Sequence, residues 1–389
     1  MKRKNKKTKS VGNGEGSLYY SETLKCWIYQ YVYNNKRKTM KQKKNESVRD
    51  FKARVTKIKN EKNEGTYIEK SKDIFIEITK KHVEQKHNDN ITSDSSYIRD
   101  LDTINQIEKT CNNFANKPIQ KITIEDIELS KAEIKKYSNN SIKKIWRLLY
   151  KTFSIGISRR KIAFNPMDDE NLKRPISSKQ TKKVEALTHD EEKILNTFLK
   201  DNSQNVQYKN IVLLQLNTGM RIGEVLALST DCINLKNNTI TIYRSLTKDS
   251  NRKFVIGKHT KTFDREKEID KGKRTFPMTQ QAKKIIQELL KQKITNMHQL
   301  LFWDYSKNSL ILPKRINDFL KKINKNNIIE NLTTHKLRHT FITRCQENNI
   351  PLPVIQAMVG HIEGSPITEE TYTSVSLEFM KQELQKISN

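Results

Sequence analysis

Apolar positions along the chain follow two periods. Alternation at every second residue predicts strands, and recurrence at every third and fourth predicts amphipathic helices. After Gly12, Gly14 and Gly16, the runs SLYY and CWIYQYVYNN carry aromatic and β-branched residues and predict two or three short antiparallel strands. A helix with Val48, Phe51 and Val55 on one face follows, so a small sheet packed on one helix is expected over 11–64. From 65 to 167 glycine nearly disappears and helical spacing takes over. One helix carries Ile74, Phe75, Ile78 and Val83, and a second carries Tyr97, Leu101, Ile104, Ile107, Cys111 and Phe114 and stops at Pro118. A third has Ser141 as N-cap and Ile142, Ile145, Leu148, Leu149, Phe153 and Ile157 on its face, and Pro166 closes the region. Residues 168–186 lack any apolar period and read as an exposed linker.

Order resumes over 187–389. Thr188 and Glu191 have capping-box spacing ahead of Ile194, Leu195, Phe198 and Leu199. YKNIVLLQLNTGM predicts a more buried helix ending at Gly219, and RIGEVLALS another. TITIYRSL, KFVIGKHTKT and KRTFPM predict a three-stranded antiparallel sheet, with the polar loop FDREKEIDKG between the last two. Helices follow after Thr279 and Pro313, from His335 to Glu347, and from Val354 to Val359 with a stop at Gly360. A final helix places Leu377, Met380, Leu384 and Ile387 on one face. The fold class expected is multidomain and mostly α with small antiparallel sheets, that is, α+β.

Charge adds the partner. Against 44 Asp and Glu stand 74 Lys and Arg, a formal net charge of +30 over 389 residues, which makes a polyanion the expected ligand and nucleic acid the first candidate. No apolar run approaches the roughly 18 residues of a spanning helix, so no membrane partner is expected. The basic tail 1–10, which opens MKRKNKKTK, is followed by no apolar segment, so it is not a signal peptide; it reads as a disordered solubilising tail or as an arm along phosphates, with a nuclear signal as a third option. Cys26, Cys111, Cys232 and Cys345 are too far apart for a zinc set, and reduced thiols in a cytoplasmic protein are the simplest account. Candidate phosphate contacts are Lys36, Arg37 and Lys38 beside the N-terminal sheet, with Lys143, Lys144, Arg147, Arg159 and Arg160 on the outer side of the third middle helix. A solvated charge run is an equal reading for any one of them.

The densest chemistry lies between Thr334 and Tyr372, where His335, Arg338, His339, His361 and Tyr372 gather. That inventory suits phosphate chemistry without a metal: a cation for the non-bridging oxygens, imidazoles for protons, and a hydroxyl nucleophile. HKLRH spaces two histidines as a zinc-protease helix does, but Lys336 stands where the general-base glutamate belongs. NTGMRIGE at 217–224, HKLRH at 335–339, and GH followed by TEETY at 360–372 resemble, as a set, the tyrosine recombinases of the phage-integrase family. The resemblance extends to the whole chain and is nearest to integrases of conjugative transposons and temperate phages.

The resemblance implies an arm-type DNA-binding domain over 11–64, a helical core-binding domain over 65–167, and a mixed α/β catalytic domain over 187–389 with a C-terminal helix. It implies one active site of Arg221, a hairpin lysine, His335, Arg338, His361 and Tyr372. Arg221 and Arg338 would hold the phosphate, Tyr372 would attack, and His335 and His361 would manage protons and orientation. Lys261, in HTKT, is the first choice for the acid that protonates the leaving oxygen, with Lys271 as the alternative. Glu224 would orient Arg221 or His335, and His339 would bond within its own helix. No metal or cofactor is expected. The implied partners are double-stranded DNA at core and arm sites, a homotetramer through the C-terminal helix, and an excision factor and a DNA-bending protein. A type IB topoisomerase and a non-catalytic DNA-binding regulator are the competing readings.

Overall fold

The computed structural model describes residues 16–33, 35–179, 185–201, 206–260, 263–264, 268–270, 272–323, 329–360 and 375–387. By contacts the chain forms two compact units, one of residues through Thr79 together with Gln106–Ile176, the other of Lys80–Asn105 and the chain from Ser177 onward.

The first unit opens with strands β1 (Ser17–Ser21), β2 (Cys26–Tyr33) and β3 (Lys36–Lys41) in an antiparallel sheet of order β1-β2-β3. Helix α1 (Val48–Asn63) starts at Ser47, whose side chain accepts the Asp50 N–H. Phe51 and Val55 of α1 pack with Tyr29, Tyr31 and Tyr67 into a small aromatic core, whereas Val48, expected on the same face, is exposed in the first turn of the helix. Helices α2 (Phe75–Asn88) and α3 (Asp94–Thr110) contribute to both units, and α4 (Ile124–Ile134) and α5 (Asn139–Ser158) complete the first. Phe75, Phe114 and Phe153 meet at its centre, with ring centroids 5.5 and 4.9 Å apart. The N-cap of α5 is Ser138 and not Ser141; the Ser138 hydroxyl accepts the Ser141 N–H, so the helix begins one turn earlier than the apolar pattern alone indicates.

The second unit surrounds one large apolar core. Helix α6 (His189–Asp201) opens with the reciprocal Thr188–Glu191 capping bonds, at 2.9 and 3.1 Å. Helix α7 (Val206–Thr218) runs through the core, and α8 (Ile222–Leu226) follows after a sharp turn. The sheet differs from the expected one. TITIYRSL breaks into β5 (Thr239–Ile242) and β6 (Leu246–Lys248), because Arg244 between them turns inward, its Nε–H reaching the Ala227 carbonyl at 3.4 Å. β5 lies between β4 (Ile233–Asn234) and β10 (Arg274–Pro277), while β6 pairs with β7 (Phe254–Ile256). The middle segment therefore leaves the three-stranded sheet, and part of the polar loop forms the small pair β8 (Phe263–Asp264) and β9 (Ile269–Asp270).

Helices α9 (Gln280–Leu290), α10 (Pro313–Ile323), α11 (Thr334–Glu347), α12 (Leu352–Val359) and α13 (Leu377–Gln385) complete the unit. Met380 and Leu384 of α13 are buried in the core of their own chain, whereas Phe379 is exposed. Among the described residues no helix is long and apolar enough to cross a membrane.

Candidate active site

Two glycine turns build the site. α7 ends at Gly219 with φ +64°, and a β-carbon there would lie 2.4 Å from Phe341 Cδ1 and 2.9 Å from Val359 Cγ1. Only glycine permits both the conformation and the close approach of α11 and α12. α12 ends at Gly360, also left-handed at φ +69°. The carbonyls exposed by these turns are collected by one side chain. Arg338 donates from Nη1 to Gly219 O at 2.8 Å and Val359 O at 2.7 Å, and from Nη2 to Gly360 O at 3.0 Å. These bonds take three of the five donors of a guanidinium and leave Nε–H and one Nη2–H for an anion. Arg338 is 6% exposed. Burial and then the nearby Arg221 push its guanidinium down to about 9, so it is still a cation at neutral pH.

Arg221 precedes α8, where its N–H donates to Glu224 Oε2 at 2.9 Å and its Nη1 to Glu224 Oε1 at 3.1 Å. Glu224 is 1% exposed and holds a second guanidinium that the sequence reading missed. Arg274, at the start of β10, donates to its two oxygens at 3.2 and 2.8 Å. Burial alone would push the Glu224 carboxyl up, but Arg274 and Arg221 outweigh it and hold it at about 2. Arg274 also donates from Nε to Met358 O at 2.7 Å and from Nη1 to Gly272 O at 3.1 Å. One side chain thus ties the base of the hairpin, the acidic residue and the end of α12 together. The available signal was the burial demand of a glutamate within the apolar run IGEVL, which one partly exposed arginine does not satisfy.

Gly360 is where the cations converge. A β-carbon on it would stand 3.1 Å from Arg274 Nη1 and 3.4 Å from Arg221 Nη1, while its carbonyl accepts Arg338. Three guanidiniums surround one carboxylate, an excess of two positive charges suited to a phosphodiester whose oxygens gain charge under attack.

His335 and His339, one turn apart on α11, have their Nε2 atoms 3.1 Å apart with rings perpendicular. His339 bonds within its helix, and burial and then Arg338 lower its pKa, which favours a neutral ring there. Lys336 is buried, its ammonium donating to the Glu330 carbonyl at 3.0 Å and facing Glu191 at 3.4 Å. No metal-binding cluster of His, Cys, Asp or Glu occurs among the described residues.

Lys261, Lys271, His361 and Tyr372 lie outside the described residues. The neighbours of the two lysines meet at one carboxylate: Asp270 accepts the Thr260 N–H and hydroxyl at 2.8 and 2.5 Å and the Gly272 N–H at 3.0 Å. The N-terminal Lys36, Arg37 and Lys38 lie on β3, Lys143, Lys144 and Arg147 on α5, and Arg159 and Arg160 just beyond its end.

Comparison with known proteins agrees with this geometry. Residues 185–378 match the phage integrase family. The chain is 28% identical over 303 residues to a prophage ps2 probable integrase of Lactococcus lactis subsp. lactis (strain IL1403), covering 71% of this chain and 72% of that one. It is 27% identical over 238 residues to the transposase of transposon Tn916 from Enterococcus faecalis, covering 58% and 56%. Its fold resembles the Tn1549 transposon integrase in complex with a circular intermediate DNA, with TM-score 0.64 and 17% identity over 81% of this chain and 99% of that one. It also resembles the lambda integrase tetramer bound to a Holliday junction, with TM-score 0.56 and 14% identity over 92% and 98%. The turn at Gly219, the Arg221–Glu224 pair and the buried Arg338 thus sit inside the matched region, and the chain belongs to the phage integrase family of tyrosine recombinases.

Proposed function

We propose that this chain is the site-specific DNA recombinase of a mobile element, cutting and rejoining strands through a 3′-phosphotyrosyl intermediate. The observation that carries the reading is the convergence of Arg221, Arg274 and Arg338 on Gly360, inside the region that matches the integrase family. In the proposed reaction the Tyr372 oxygen attacks phosphorus, the bond to the 5′ oxygen breaks, and Lys261 or Lys271 protonates the leaving oxygen. Arg221 and Arg338 hold the non-bridging oxygens, and His335 and His361 take the tyrosine proton and orient the phosphate. A 5′ hydroxyl of the partner duplex then attacks the phosphotyrosine and releases the tyrosine. One phosphoester replaces another at each step, so no ATP is consumed. Exchange of one strand pair gives a Holliday junction, and exchange of the other resolves it.

In this reading 11–64 binds arm DNA, 65–167 grips the core site and 187–389 carries out the chemistry. A homotetramer forms through α13, whose Met380 and Leu384 must then leave their own core for that of a neighbour. An excision factor and a DNA-bending protein set the direction. The test is a two-site recombination assay run beside relaxation of supercoiled plasmid. Recombinant products support the reading, whereas relaxation with no strand joining between duplexes would replace it with a topoisomerase.

A further inference from the structure

Two groups of cations that sequence places more than a hundred residues apart share one cleft in the first unit. The strand period splits the run Lys36-Arg37-Lys38: Lys36 and Lys38 point to the side of Tyr33 and Tyr31, and Arg37 pairs with exposed Val32 on the opposite face. Lys36 and Lys38 thereby enter a hollow of about 380 Å³, whose other walls are the connector around Lys70 and Lys72 and the residues that follow α5. Those residues are Arg159, Arg160 and Lys161.

The walls are braced. Gln120 donates to Glu69 O and to Lys161 O, both at 2.8 Å, and accepts the Ser71 N–H at 3.0 Å, which fastens the connector to the end of α5. The Tyr33 hydroxyl donates to Tyr67 O at 3.2 Å and fastens the sheet to the same connector. Arg160 is left-handed at φ +52°, closing α5 with the 2.8 Å bond from its N–H to Ile157 O and the 2.7 Å bond from Lys161 N–H to Gly156 O. Glycine is the residue that position ordinarily takes. Lys38 and Lys161 have carboxylate partners, Glu69 and Asp73. Lys36, Lys70, Lys72, Arg159 and Arg160 have no ion pair among the described residues, so the cleft keeps a large positive excess.

We propose that this cleft is a phosphate site for the DNA backbone, built jointly by β3, the 69–73 connector and the end of α5, and that Glu69 occupies it on Lys38 until DNA displaces it. The like charges are tolerated because the ligand is a polyanion. Arg160 stands at a glycine position because its charge is used. This inference rests on the DNA-recombinase reading and adds an element of regulation to it.

Fluorescence anisotropy of the full chain on a labelled duplex, titrated with salt, tests it. Each phosphate contact contributes about 0.9 to the slope of log affinity against log salt. The double variant Lys72→Ala, Arg159→Ala should flatten that slope by about 2, and Glu69→Gln, which removes the competitor that DNA otherwise displaces, should raise affinity with the slope little changed. Glu133→Gln, which removes an exposed carboxylate elsewhere in the unit, is the control for net charge and should not raise affinity. Arg160→Gly should leave the melting temperature equal or higher while flattening the slope by about 1, an outcome a purely structural cap would not give. A wild-type slope in the Lys72, Arg159 variant, or Glu69→Gln matching Glu133→Gln, overturns the cleft. A wild-type chain whose binding ignores salt would overturn the DNA reading itself.

Discussion

Replacing Arg274 with leucine probes the innermost part of the candidate active site. The change removes both bonds to the Glu224 oxygens and leaves a carboxylate of 1% exposure with Arg221 as its remaining hydrogen-bonded cation. Removing one partner of a buried ion pair costs about 3–5 kcal/mol, because the other charge stays behind uncompensated. The titration of Glu224 points the same way: burial would raise its carboxyl, and Arg274 and then Arg221 outweigh burial and bring it down to about 2. A carboxyl held low stabilises the fold above its unfolded value of 4.5, and the contribution drains away as pH falls toward about 2. Arg274→Leu should therefore lower the calorimetric melting temperature of the second unit at neutral pH by about 6–20 °C. The deficit should shrink on acidification, as Glu224 takes up a proton in the variant before it does so in the parent. Adding Glu224→Gln should restore part of the loss, since a neutral amide tolerates burial with fewer partners. A loss below about 1 kcal/mol, or a double variant in which the two losses simply add, would refute this account of the network.

Further tests follow from neighbouring residues. Gly219→Ala forces a side chain into a left-handed turn and against Phe341, so the melting temperature should fall by about 4 °C or more; an unchanged melt would contradict the tight approach. His339 should titrate below its ordinary value of 6.5 in histidine NMR spectra. Because its folded pKa is depressed, its contribution is fully present above 6.5 and is lost as pH falls through that value toward the folded pKa; titration at or above the ordinary value would contradict its burial beside Arg338. Of Lys261→Ala and Lys271→Ala, one should lose cleavage on ordinary DNA and regain it on a substrate with a better leaving group. If neither is rescued, neither lysine is the general acid.

How far the site could be read in advance depended on sequence distance. Arg221 and Glu224 are three residues apart, and His335 and Arg338 share a helix, so local spacing displays them before any folding is known. Arg274 lies fifty residues from Glu224, and in KRTFPM it looks like any cation on a strand. Helices were legible for the same reason: the faces of α1, α5 and α11 are set by neighbours within a turn. Strand partnership was not. TITI pairs with RTFP across an intervening hairpin, a choice made by tertiary packing around Arg244. The run Lys36-Arg37-Lys38 was visible as charge, but only the pleat of β3 sends its members to different faces.

The central claim is that Tyr372 is the nucleophile of a site built on Arg221 and Arg338. Trapping on a nicked duplex attachment site measures it most directly, with products separated under denaturing conditions. The parent chain should form an SDS-stable protein–DNA adduct on the 3′ phosphate, and Tyr372→Phe should form none while binding the same duplex with unchanged affinity. An adduct that persists in Tyr372→Phe would contradict the account.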